Sequence, residues 1–238
     1  MKFIDVRDSW LTPAVLVATA LLCAPAQASL TSIGNGLIYD DVSDVTWMAD
    51  GYAFSLDIAG SSANPATNPY TGPLLGSVVT PPVGSAHTID ANDLSYQSGL
   101  GRWLGSWWAA SAWADSFSYQ YGSRTVAEWR LPTSAEAQHL IDAIGAGQYA
   151  ATGPFTWVPP FFWTADVTSA THADVARPLF GTIDNFSLMN GSLPRYSNIW
   201  AVAPGNVSSV PLPAAVWLFG SALAGLGICG RRRVEAQD

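Results

Sequence analysis

The sequence predicts an α+β fold: a single domain of two short helices and several antiparallel strands. Three observations carry this prediction. Short β-prone runs recur between clusters of Gly, Pro, Asn and Asp, the pattern of strands joined by tight turns. Two stretches, Trp103–Tyr121 and Ala137–Ile144, instead place apolar side chains at three- and four-residue steps, the period of a helix. The segment between an apolar N-terminus and an apolar C-terminus, Ser29–Ser209, is long enough for one core.

The N-terminus reads as a signal peptide over residues 1–28. Lys2 and Arg7 precede the apolar stretch Leu11–Ala24, and Ala26–Gln27–Ala28 offers the small side chains that signal peptidase accepts on either side of its cut. Cleavage is expected between Ala28 and Ser29. Of the 2 cysteines, Cys23 lies in this leader and Cys229 in the C-terminal apolar run. The body therefore has no disulfide, no Cys nucleophile and no Cys-ligated metal.

The body is acidic. Removing Asp5, Asp8, Glu235 and Asp238 from the 18 carboxylates leaves 14, and removing Lys2, Arg7 and Arg231–Arg233 from the 10 cations leaves five arginines. This net charge of −9 argues against nucleic acid and anionic lipid as partners, since both need a basic face.

Leu37–Tyr39 and Val45–Met48 predict a hairpin around the turn Asp40–Asp44. The carboxylates Asp40, Asp41, Asp44 and Asp50 lack the spacing of a calcium loop, so turn chemistry is the reading and no metal is assigned. Residues 59–101 alternate Pro with Gly, Ser, Asn and Thr, which predicts a long surface excursion with one short strand at Val78–Thr80. His87, Asp90 and Asp93 within it read as a solvated cluster. Trp103–Tyr121 follows as the first helix, ended by Gly122; its stripe of Trp107, Ala110, Ala114, Phe117 and Tyr121, with Trp113 beside it, reads as core.

Trp129–Arg130–Leu131–Pro132–Thr133, with Glu136, is the most specific stretch of the body. Thr133 and Glu136 have capping-box spacing, Ala137, Leu140, Ile141 and Ile144 form an apolar face, and Gly145 closes the second helix. Arg130 is expected to be pinned by a carboxylate. Strands are expected at Phe155–Val158, Phe161–Val167, Arg177–Asp184, Phe186–Met189 and Asn198–Ala203, with Asn190–Gly191 a turn and Trp163 and Trp200 central in packing.

Residues 205–209 read as a linker. The 21 residues Val210–Gly230 carry no ionisable group except the Cys229 thiol, and Arg231, Arg232 and Arg233 follow at once. As a helix this run is ~30 Å long, the thickness of a bilayer's hydrocarbon. A transmembrane helix over 212–230 is expected, with 234–238 in the cytoplasm and the body outside.

This tail resembles the PEP-CTERM sorting signals of bacteria: a Pro-containing motif, a hydrophobic helix and an Arg-rich end, here over residues 210–233. Val210–Pro211–Leu212–Pro213–Ala214 matches the Val-Pro-Leu-Pro-Ala variant. The resemblance implies processing by an exosortase, a Gram-negative envelope and an exopolysaccharide-producing lifestyle. The body, residues 29–204, resembles the Lcl C-terminal domain family. The resemblance runs through Gly36–Leu37–Ile38–Tyr39–Asp40–Asp41, Thr46–Trp47, the Ala/Trp helix, Trp129–Thr133 with Glu136, Phe161–Thr164 and Trp200–Val202, with residues 59–101 as an insertion. The same Arg-Leu-Pro-Thr-x-x-Glu pattern is similar to sulfatase-modifying and C-type-lectin-like folds. The modifying enzymes of that group need active-site cysteines, which this body lacks, so the resemblance implies binding or adhesion.

Metalloprotease, nucleophile-elbow and phosphate-loop motifs are missing. No catalytic residue and no cofactor are assigned. The expected protein is an exported, exosortase-sorted envelope or matrix protein that is non-enzymatic and binds polysaccharide. An extracellular carbohydrate-active enzyme is the alternative, and a purely structural matrix component with no specific ligand is a third reading that the sequence does not separate from the first. Signal peptidase, exosortase, the membrane and exopolysaccharide are the expected partners.

Overall fold

The computed structural model describes residues 30–61, 68–148 and 150–208. Ala26, Ala28 and Ser29 of the expected signal-peptidase site lie outside them, as does the expected sorting tail Val210–Arg233. Among the described residues no helix is long and apolar enough to cross a membrane.

The described residues open with a strand the sequence reading did not include, β1 (Leu30–Gly34), then β2 (Leu37–Asp40) and β3 (Val45–Met48). β2 and β3 form the expected hairpin in register Leu37↔Met48 to Asp40↔Val45. The Asp40 carboxylate accepts from the Val42 and Ser43 N–H groups, which folds the turn back on itself. Helix α1 (Ala53–Ser61) follows, adding a third helix to the two expected. Its nine residues are short for a helix and intersperse Ser55, Asp57, Gly60 and Ser61 among the apolar ones, so it gave no amphipathic signal.

The segment read as a surface excursion has its expected short strand, β4 (Val78–Val79), but needs correcting beyond that: it also contains β5 (His87–Thr88), a 3₁₀ turn (Ala91–Asp93) and β6 (Leu94–Gln97). Tyr70, Leu74, Ile89 and Leu94 are buried in the main core. Prolines interrupt the helical and strand periods here, while single apolar residues between them still anchor the chain.

The first predicted helix is shorter than its stripe. Arg102–Gly105 is strand β7, paired with β6, and α2 covers only Trp107–Ser116. The Ser106 hydroxyl oxygen accepts the Ala109 N–H and fixes the start. Beyond Phe117 the chain forms β8 (Tyr119–Tyr121) and β9 (Arg124–Val126), so Gly122, at φ +60°, turns a hairpin rather than ending a helix. The stripe nevertheless packs as expected: Trp107, Ala110, Trp113 and Ala114 are buried.

Helix α3 (Ser134–Ile144) starts at the Thr133 capping box and ends at Gly145, as predicted. Then come β10 (Ala150–Thr152), β11 (Phe155–Val158), β12 (Phe162–Ser169), β13 (His172–Arg177), β14 (Thr182–Ser187), β15 (Met189–Asn190), β16 (Leu193–Pro194) and β17 (Val202–Pro204). The predicted strand Arg177–Asp184 straddles a turn: Arg177 closes β13 and Asp184 lies within β14.

Every strand pair is antiparallel, in a four-stranded sheet β1-β2-β3-β17, a three-stranded sheet β12-β13-β14 and five two-stranded ladders. The segment Ser197–Ala203 ties them together. Ser197 pairs with Gly105, Asn198 with Phe162, and Val202 with both Arg130 and Trp47. All seven residues of this segment are buried. Trp200 sits at its middle with ring centroids 5.0 Å from Trp47 and 5.3 Å from both Phe155 and Phe162. Its indole N–H donates to the Met48 carbonyl, and that of Trp163 donates to the Gly105 carbonyl. Both tryptophans take the central places expected of them and satisfy their only polar atom, which removes the cost of burying it.

Candidate functional site

The Trp129–Glu136 motif is built around one carboxylate. The sequence brings Glu136 to the third position of α3, so it reaches back to the Thr133 N–H at 2.7 Å while the Thr133 hydroxyl oxygen accepts the Glu136 N–H at 3.2 Å. The same carboxylate takes both ends of the Arg130 fork, Nη1 at 2.8 Å and Nη2 at 2.6 Å. Burial alone would raise the Glu136 carboxyl; the Arg130 guanidinium and the Thr133 N–H outweigh it and hold it below its ordinary value. The bond to Glu136 in turn raises the Arg130 guanidinium. The Arg130 backbone pairs with Val202, so the clamp joins the entry of α3 to the central segment. Pro132 and Leu131 are buried between them. The entry of α3 is also tied to the three-stranded sheet: the Ser134 N–H donates to Asp166 and its hydroxyl to Asp174. The carboxylate beside the first turn suits the positive end of the helix.

Trp129, Arg130 and Leu131 also line one end of a cavity of about 510 Å³. One wall is the outer face of α2, with Ser111, Asp115 and Ser116; the other is Ser77–Thr80 of the insertion. A second cavity, about 390 Å³, continues along α2 past Trp113 and Phe117 to Asp57. The two share Ser77, Ala112 and Ser116, so together they form a groove running along the helix. The tryptophans show the groove only small parts of their rings. Trp107 and Trp129 are buried, and their N–H groups go to the Thr164 and Val126 carbonyls. Trp113 donates to Asp57 at 2.8 Å. The groove is lined by the serines Ser77, Ser111 and Ser116 and by two carboxylates, Asp115 and Asp57, beside apolar residues of α2.

Trp163 and Trp200 lie in the core and do not join the groove. The N-terminal carboxylates serve the backbone: Asp40 holds its turn, Asp44 accepts the Tyr39 hydroxyl and Asp50 accepts the Tyr52 N–H. Among the described residues no group of three His, Cys, Asp or Glu is placed to hold a metal ion. The reading of His87, Asp90 and Asp93 as a solvated cluster is corrected at Asp93; Asp90 is exposed and His87 partly so. Asp93 is fully buried, and its carboxylate receives the Ser106 hydroxyl at 2.7 Å and the Asp90 N–H at 2.9 Å, with the His87 ring at 2.8 Å. His87 stacks on Trp108. A loop carboxylate with this many donors is a structural pin.

Two features carried no signal in the sequence. Tyr52 stacks on Trp157 at 3.7 Å, with the Arg102 guanidinium within about 5 Å of both rings. A separate notch gathers Arg177 and Arg195. Both join residues far apart in the chain, and only pairing within the sheets brings them together. No protein-family model, curated protein or solved structure matches the chain.

Proposed function

We propose that the chain is an exported, exosortase-sorted protein of the cell envelope or extracellular matrix whose body is non-enzymatic and binds polysaccharide. The observation that carries this reading is the tail: Val-Pro-Leu-Pro-Ala at 210–214, an uncharged apolar run to Gly230, then three arginines. A signal peptidase site at Ala26–Ala28 supports the same route. The body is a C-type-lectin-like domain of the Lcl C-terminal kind, in which Trp129–Glu136, Trp163 and Trp200 hold structure and the groove along α2 takes a glycan chain. Its acidity disfavours nucleic acid.

Fractionation of cells with and without the exosortase, with an antibody against the body, tests the sorting. The tail is expected to be removed only when the enzyme is present; full-length chain free in the cytosol would overturn it. Ser111→Trp fills the groove from the half-exposed face of α2. It is expected to weaken polysaccharide binding by roughly tenfold or more, the loss of one good contact set. Release of product from any polysaccharide would favour the carbohydrate-active enzyme instead.

A further inference from the structure

The notch gathering Arg177 and Arg195 shares no lining residue with the groove along α2. It holds about 250 Å³ and is lined by Phe161, Arg177, Phe186, Arg195, Tyr196 and Ser197. Two of the five arginines of an acidic body meet here.

Their states differ. Arg177 is bonded to Asp184, whose carboxyl it holds below the ordinary value. Arg195 has no carboxylate within 4.0 Å among the described residues. Its Nε is buried without a hydrogen-bond partner among the described residues, and so is the Oγ of Ser197. Ser197 is only 2% exposed. Both of these atoms are closed to solvent, whereas Nη1 and Nη2 of Arg195 are open and make no hydrogen bond among the described residues, so the end of the fork is what a ligand supplying acceptors meets. The two guanidiniums are also held flat. Arg195 lies 5.0 Å from the Phe186 ring centroid, and Arg177 lies 4.0 Å from that of Phe180 and 5.8 Å from that of Phe186. Stacking fixes the plane of an arginine fork and favours a planar acceptor with two oxygens.

The charge selects further. Asp184 already neutralises Arg177, so the notch offers one uncompensated cation, which matches a monoanion better than a phosphate dianion. The Tyr196 hydroxyl donates to the Asn92 carbonyl, and burial, then the neighbouring Asp93 and Asp90, hold it above its ordinary value. The aromatic walls suit the C–H faces of a sugar ring. The volume falls below the ~300–1,000 Å³ of drug-sized sites, enough for one ring rather than an oligomer. From these observations we infer that the Arg195 notch binds a single carboxylate-bearing sugar, a uronate, as found in acidic polysaccharides. The inference does not depend on the groove along α2.

Titration calorimetry on the full-length chain in detergent micelles tests it with D-glucuronate, D-glucose and inorganic phosphate. Glucuronate is expected to bind roughly tenfold or more tighter than glucose or phosphate, the worth of one charge-assisted bidentate contact. Arg195→Gln is expected to abolish that preference. Arg195→Lys keeps the charge but loses the fork, and is expected to weaken glucuronate by about tenfold. Ser111→Trp leaves glucuronate binding unchanged, so failure of the groove and failure of the notch are distinguishable. Equal binding of glucose and glucuronate by the wild type, tighter binding of phosphate, or full binding by Arg195→Lys would overturn the inference. The first two need no variant to fold.

Discussion

Replacing Glu136 with glutamine removes one charge from the α3 clamp and keeps its shape. The amide oxygen still accepts the Thr133 N–H and Arg130 Nη1, which share one oxygen, so the loss falls on the charge and on the Nη2 bond at 2.6 Å, where the amide NH2 now faces the guanidinium. Hydrogen bonds to charged groups contribute about 1.5–3 kcal/mol when buried, and exposed ion pairs about 0.2–1 kcal/mol. The Glu136 side chain is 13% exposed and that of Arg130 42%, so solvent screens one partner and the expected loss is about 1–2 kcal/mol. For a domain of this size that lowers the melting temperature by about 2–8 °C. The effect depends on pH in a stated direction. Glu136 is held below its ordinary value of 4.5, so its contribution is complete above that value and is lost as pH falls through the lower folded value. Thermal melts of the full-length chain at pH 7 and pH 3 should show the gap between wild type and Glu136→Gln narrowing in acid. A cycle with Arg130→Met should give a coupling of about 1 kcal/mol at pH 7. A gap unchanged between the two pH values, or zero coupling, would refute the assignment of the clamp as an ion pair.

Three further perturbations follow from the packing. Asp93→Ala takes the acceptor from the fully buried Ser106 hydroxyl and from the part-buried Asp90 N–H, and should cost about 2–3 kcal/mol in urea melts. A cost below 1 kcal/mol would return the residue to a solvated loop. Gly51→Ala puts a methyl 2.5 Å from Cδ of Pro159, a ring that cannot rotate away, and should cost about 1–3 kcal/mol by the same assay; a neutral result would mean the two segments part easily. Trp200→Ala empties the middle of the central segment and should cost about 3–5 kcal/mol, with loss of near-ultraviolet ellipticity. An intact near-ultraviolet spectrum would place the core elsewhere.

Local chemistry was legible without tertiary information. The capping box needs only Thr133 and Glu136 at the right spacing, and both bonds form inside one turn. The β2–β3 hairpin follows from β-prone runs on either side of an Asp-rich turn, and Gly145 stops α3 because its φ of +85° suits a residue with no side chain. The periodic stripe from Trp103 to Tyr121 identified core residues but overstated the helix. Apolar spacing does not record that Arg102–Gly105 finds a partner in β6, or that Tyr119–Tyr121 finds one in β9. The reading of residues 59–101 failed for a related reason: prolines hide periodicity, while Tyr70, Leu74, Ile89 and Leu94 reach the core singly.

By itself the sequence determined the acidic, cysteine-free body, its α+β class, the cap of α3 and the burial of Trp107, Trp113, Trp163 and Trp200. These depend on composition, on contacts within a few residues, or on water's rejection of large apolar side chains. Only the tertiary structure decided that Ser197–Ala203 joins the sheets, that Asp93 is a buried pin, and that Arg195 meets Arg177 beside Phe186. Each of those unites residues far apart in the chain, and the position of their partners is set by backbone pairing that no local pattern records.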